Sequence, residues 1–183
     1  MKNSFLAILV ALAAAGIMSC SKTKIGDGGY PVYPPIAESR TVTSDWITMN
    51  FEEMTNDDGT TYLQASTLID GVTNADRSSH IDFGYTRFDD AGAISFQRIP
   101  FNISNANENL DVSYNLDNGV FTVRIDNAST TGQTLSADRF QDVRFRLLMV
   151  SSTDYASMQC DWDDYSSVEN ALGVLQSARA NSN

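Results

Sequence analysis

The stretch LDVSYNLDNGVFTVRIDN, residues 110–127, decides the fold. On both sides of Asn118-Gly119 apolar and polar residues alternate with period two, the pattern of half-buried antiparallel strands. A type I′ turn needs positive φ at both central positions, and Asn followed by Gly tolerates that. A two-residue loop sets Asp117 opposite Val120. Leu116 then faces Phe121, Tyr114 faces Val123 and Val112 faces Ile125, so every pair on one face is apolar. The other face pairs Asn115 with Thr122 and Ser113 with Arg124. A slip of one residue mixes the two faces, so turn chemistry and hydrophobic pattern select the same register. That register also sets Asp111 opposite Asp126, an unfavourable like-charge pair that raises the question of a cation. Two carboxylates are too few for calcium, which takes six to eight oxygens.

The same alternation recurs outward from this hairpin. Ile81, Phe83 and Tyr85 alternate with His80, Asp82, Gly84 and Thr86, the chain turns at Asp89-Asp90-Ala91-Gly92, and Ile94 and Phe96 return toward Pro100. The phase changes around Gln97-Arg98, which predicts a bulge. Trp46 to Phe51 and Thr61 to Leu68 read as strands separated by TNDDGT, and FQDVRFRLLMV, with Val143, Phe145, Leu147 and Met149 against Asp142, Arg144 and Arg146, reads as a long final strand. About seven strands, each apolar on one face, must cover those faces with a second sheet, so the expectation is an all-β antiparallel two-sheet sandwich. A short C-terminal helix follows: Ser166 and Glu169 form a capping box, with Val168, Ala171, Leu172 and Leu175 on one face and Gly173 weakening it.

The N-terminus reads differently. Met1-Lys2-Asn3 followed by the apolar run 5–17 has the build of a secretory signal segment, too short for a span of about 20 residues. Its end, Ile17-Met18-Ser19-Cys20, resembles a bacterial lipobox, which implies cleavage before Cys20 and lipid attachment to it. Residues 1–19 are then the signal peptide. Residues 20–40, with three of the four prolines and a Gly-Asp-Gly-Gly run, are a tether, and residues 41–178 are one β domain. Lipidation of Cys20 leaves Cys160 unpaired, with Met158 and Trp162 near it in sequence favouring a buried thiol. The chain carries a net charge of −11, and loss of Lys2 with the signal makes it −12. That surface repels nucleic acid and anionic headgroups.

Catalytic constellations are hard to assemble. The chain has one histidine, which cannot make the usual His-rich zinc site. In SSHID, Ser79 is expected to face away from His80 along a strand, and His80 to lie on the polar face. Counted as an EF-hand from Asp161, Ser166 stands where Gly is needed and Leu172 where the bidentate Glu belongs. Asp161, Asp163 and Asp164 suit instead the N-terminal end of the helix. No catalytic residue, metal or cofactor is assigned. Glycoside hydrolysis, which needs only two carboxylates, stands as a minor alternative.

A binding role fits better. Trp162, Tyr155 and Tyr62 are the candidate ligand-binding residues, as aromatic platforms for a sugar ring or a protein partner, while Trp46 is expected in the core. The patternless segment 69–79, with Asp70, Asn74, Asp76 and Arg77, is a candidate binding loop. In their order, the lipobox, the Pro-rich tether, the Trp-containing first strand, HIDFGYTRF, FQRIPF, the Asn-Gly hairpin, FRLLMV and DYSSVENALGV resemble small lipoproteins of the Bacteroidota. The resemblance implies an envelope location and supplies no catalytic residues. It also implies that acids after the lipidated Cys favour export to the outer face. Ser21-Lys22-Thr23-Lys24 stands there instead, so the periplasmic side of the outer membrane is expected ahead of the cell surface. The sequence thus predicts a lipid-anchored, non-catalytic envelope protein with a binding or structural accessory role, or alternatively a surface glycan-binding accessory for nutrient uptake.

Overall fold

The computed structural model describes residues 24–25, 31–32, 40–90, 92–105, 108–128 and 135–181. Cys20 and the expected signal segment lie outside them. The chain divides into two units, Met1–Tyr33 and Pro34–Asn183. In the first, Lys24–Ile25 (β1) and Pro31–Val32 (β2) pair antiparallel, a short ladder inside the stretch expected to be irregular. A two-stranded ladder has only edges, where proline is tolerated.

The second unit is mostly β: among its described residues, ten strands rather than about seven form two five-stranded antiparallel sheets. The first sheet grows from the Asn-Gly hairpin. Strands Glu108–Asp117 (β10) and Val120–Asn127 (β11) pair in the register that the sequence dictates, Asp111 opposite Asp126 included. Asn118 and Gly119 have φ of 49° and 77°, as the turn demands. Thr61–Leu68 (β6) flanks β11, Glu52–Thr55 (β5) pairs with β6, and Phe101–Asn105 (β9) flanks β10, giving the order β5-β6-β11-β10-β9.

The second sheet runs β3-β12-β7-β8, from Val42–Thr43 (β3), Arg144–Ser151 (β12), His80–Asp90 (β7) and Ala93–Ile99 (β8), with Ile47–Thr48 (β4) also on β12. The β7–β8 register is continuous from Asp90–Ala93 to Gly84–Ile99, so the predicted bulge at Gln97-Arg98 is absent. The phase change marks a change of sheet. Proline cannot donate to a ladder, and at Pro100, which follows a cis peptide bond, the chain leaves β8 and enters β9 of the other sheet. Beyond that point β7 runs on without β8, and the Tyr114 hydroxyl of β10 donates to the Asp82 carbonyl there at 2.9 Å. The tyrosine ring occupies the space over Gly84: a Cβ on that glycine would lie 2.9 Å from Tyr114 Cδ1.

A bulge does occur elsewhere. Thr43 faces Leu148 and Ile47 faces Phe145, so the edge holds three residues where β12 holds two. Ser44 fills the gap, its N–H donating to the Leu147 carbonyl and its Oγ accepting from the Leu147 N–H. The extra residue re-aims the strand, so Ile47 and Trp46 join different apolar clusters. The expected strand Trp46 to Phe51 is therefore the passage from β4 to β5, across sheets.

One cluster draws on both sheets: Leu63 and Ala65 of β6, Val112 and Leu116 of β10, Phe121, Val123 and Ile125 of β11, Ile99 of β8, and Phe145, Leu147 and Met149 of β12. The other lies on the opposite face of β7 and β12, where Phe83, Tyr85, Leu148 and Val150 meet Met158 and the helical residues Tyr165, Val168 and Leu172. β12 is thus apolar on both faces over its second half. The C-terminal helix, Tyr165–Ala180, starts one residue before the expected cap: Asp164 is the N-cap, its carboxylate accepting from the Ser166 N–H. Carboxylates rank with serine as caps and also favour the positive end of the helix dipole.

Candidate functional site

The structure brings Trp162 and Tyr155 together and leaves Tyr62 elsewhere. Tyr155 sits on the short helix Ser152–Ser157, which begins directly after β12 with the Ser151 hydroxyl accepting from the Asp154 N–H. Trp162 lies in a turn where an Asp161 carboxylate oxygen accepts from the Asp163 N–H, an Asx-type closure. The Trp162 carbonyl accepts from the Tyr85 hydroxyl at 2.9 Å, which ties the turn to β7.

The two rings stack at 5.0 Å and 22°, and both meet Phe83 of β7, Trp162 at 4.6 Å and 3° and Tyr155 at 6.2 Å and 19°. Phe83 is buried, Trp162 half-buried, and Tyr155 is 39% exposed. The Arg98 guanidinium of β8 lies 4.9 Å from the Phe83 ring centroid and forms an ion pair of 3.0 Å with Asp163. Sequence reasoning missed Phe83 and Arg98. The signal for Phe83 was present: Leu148 and Val150 make the second face of the final strand apolar, so neighbouring residues on that face must lie under another layer.

Tyr62 belongs to β6 of the other sheet, opposite Asp126, with the Arg124 guanidinium 3.7 Å from its ring centroid. Arg124 also donates to both carboxylate oxygens of Asp126, which it neutralises, and Asn102 donates to Asp111, so each of the facing acids has a protein partner. At the helix start Asp161 and Asp164 accept backbone N–H groups, and Asp163 pairs with Arg98. Among the described residues no group of three or more His, Cys, Asp or Glu is arranged to hold a metal ion, and no helix is long and apolar enough to cross a membrane.

His80 departs from expectation. It is 6% exposed rather than on a polar face, with Nε2 2.8 Å from the Arg40 carbonyl and Nδ1 2.9 Å from the Asp76 carbonyl. Ser79 precedes the strand instead of alternating along it, and its hydroxyl lies 2.9 Å from Nδ1. The imidazole binds the start of the domain to the turn before β7. Close by, the buried Asp154 accepts from the Thr41 hydroxyl and from Arg179 of the C-terminal helix, which clamps chain entry and chain end together.

In the segment 69–79, Asn74, Asp76 and Arg77 are engaged within the fold. Asp76 is 2% exposed and accepts from the Thr73 N–H and hydroxyl, Arg77 donates to the Leu116 carbonyl, and Asn74 bonds Asp117 and the Asn118 N–H at the hairpin tip. Cys160 is a free thiol, half-buried rather than buried, and burial followed by the nearby Asp161 raises its pKa. A cleft of about 360 Å³ opens between the bulged edge, residues 42–45 and 47, and the end of β6, residues 67–70, with Asp45 and Asp70 on its walls. It shares no residue with the aromatic group. No family model, no curated protein and no solved structure matches this chain.

Proposed function

We propose that this chain is a lipid-anchored, non-catalytic protein of the cell envelope, held by lipid on Cys20 at the periplasmic side of the outer membrane. Its β domain binds a ligand or envelope partner through the surface around Tyr155 and Trp162. The two sheets pack face to face as a β-sandwich, a reading supported by the apolar cluster they share and by the Tyr114 bond across them. The observation that carries the binding role is the aromatic group itself: one of its rings, Tyr155, is 39% exposed, and Phe83 of the same group lies against Arg98, whose ion-pair partner Asp163 has a side chain 80% exposed. Aromatic groups dominate contact energetics where they are held rigidly at a surface. No nucleic-acid partner is proposed, since the net charge of −11 opposes one.

Two measurements test this. Cys20→Ser releases the chain from the membrane fraction and abolishes palmitate labelling; an unchanged membrane fraction refutes anchoring. Titration of the purified chain with solubilised envelope material changes tryptophan fluorescence, and Tyr155→Ala removes the change; a response indifferent to Tyr155 refutes the site. The second reading, glycoside cleavage, draws on the cleft with Asp45 and Asp70. It predicts sugar release that Asp45→Asn and Asp70→Asn abolish.

A further inference from the structure

We infer that the ligand of this surface is a neutral glycan, one pyranose ring stacking on Tyr155 while its hydroxyls bridge Asp163 and Arg98. The inference rests on the binding role proposed for the Tyr155–Trp162 surface and adds the ligand class. The ring geometry selects among ligands. Phe83, Tyr155 and Trp162 lie within 22° of parallel where they stack. Cages for quaternary ammonium groups need rings that wall a cation on several sides; near-parallel rings instead offer a flat platform. A pyranose presents a flat C–H face to such a platform and a rim of hydroxyls around it. Each hydroxyl donates one hydrogen bond and accepts others, so the rim needs an acceptor and a donor side by side. Asp163 and Arg98 supply them 3.0 Å apart, their side chains 80% and 37% exposed.

A planar nucleobase would also stack, but its phosphates meet a chain of net charge −11, and uronate-rich polymers meet the same repulsion. Neutral sugars do not. The platform is also built before any ligand arrives: Phe83 is 3% exposed, the Tyr85 hydroxyl holds the Trp162 carbonyl, and the Ser151 cap fixes the helix that carries Tyr155. Groups fixed in advance lose little freedom on binding.

The test is native affinity electrophoresis of the full chain in detergent, through gels containing starch, mixed-linkage β-glucan, mannan or galactan, with polygalacturonate as the charged comparison. At least one neutral polysaccharide retards the chain. Tyr155→Ala weakens that retardation by about tenfold or more and Asp163→Asn weakens it less, while both variants melt within a few degrees of the parent. Absence of retardation by all four neutral polymers overturns the inference, as does retardation that survives Tyr155→Ala, or that occurs with polygalacturonate alone. A Tyr155-dependent fluorescence response to envelope material, without retardation by any sugar, overturns the glycan assignment and leaves the binding role standing.

Discussion

Two aromatic groups sit on the same face of β7 and β12, and they differ in what closes them. In the first, Tyr165 stands at the centre, 4.8 Å from Phe96 and 5.1 Å from both Trp46 and Tyr85, and is 3% exposed. The Arg146 guanidinium lies 4.7 Å from the Trp46 ring centroid and donates to the Tyr165 hydroxyl. In the second, Phe83 and Trp162 stack as closely, but the most exposed of the three rings is Tyr155, on a helix of six residues. A long helix laid over a sheet buries what it covers, whereas a one-turn helix leaves its outward ring half in water. The first group is therefore closed, and the second keeps the partly exposed surface on which the proposed binding draws.

Substitutions that ignore this difference would break the comparison. Tyr165→Ala is expected to cost about 3–5 kcal/mol, the range for deleting a buried aromatic, read as a lower urea midpoint with unchanged slope. A cost below about 1 kcal/mol would mean that this group is no more closed than its neighbour. Trp162→Ala, at a half-buried site, should cost about 2 kcal/mol, with loss of the tryptophan response to ligand.

Tyr85→Phe sharpens the link between the groups, since it leaves the Trp162 carbonyl without its donor, and about 1 kcal/mol is expected. The same residue has a pH signature. Burial pushes the phenols of Tyr85, Tyr114 and Tyr165 above their ordinary value of 10. Above that pH the unfolded chain has released phenolic protons that the folded chain still holds, so stability is full below about pH 10 and falls as pH rises past it. Melting temperatures from pH 8 to 11.5 should show that fall, and Tyr85→Phe should flatten it; a parallel fall in the variant counts against a burial effect at Tyr85. The smallest effect on folding is expected at the residue with the largest effect on binding: Tyr155→Ala should change stability by less than about 1 kcal/mol, measured beside the electrophoresis above.

Much of the fold was legible because it depends on local order. The register of β10 and β11 follows from Asn118-Gly119 and from the sorting of Val112, Tyr114 and Leu116 against Phe121, Val123 and Ile125, which a one-residue slip would undo. The span Thr61–Leu68 was read correctly for the same reason. The sheet change at Pro100 was not, because Ile99 and Phe101 are apolar whichever sheet they join, and a break in phase has the same appearance as a bulge. Two-residue strands such as β3 and β4 carry too little pattern to register. At the site, Tyr155 and Trp162 could be named from residue type, but Phe83 looked like one more core residue of its strand and Arg98 like one more polar one.

The sequence by itself determined the hairpin register, the two-faced strands and the acidic charge, because each follows from the chemistry of neighbouring residues. Only the tertiary structure decided that His80 is buried between two carbonyls, that Asp111 is held by Asn102 and Asp126 by Arg124, and that Phe83, Tyr155 and Trp162 form one aromatic group, with Arg98 against Phe83 and in an ion pair with Asp163. The contacts of Phe83 with Tyr155 and Trp162 join segments far apart in the chain. They exist because a short helix and a turn fold back over the outer face of β7, a placement that no local periodicity specifies.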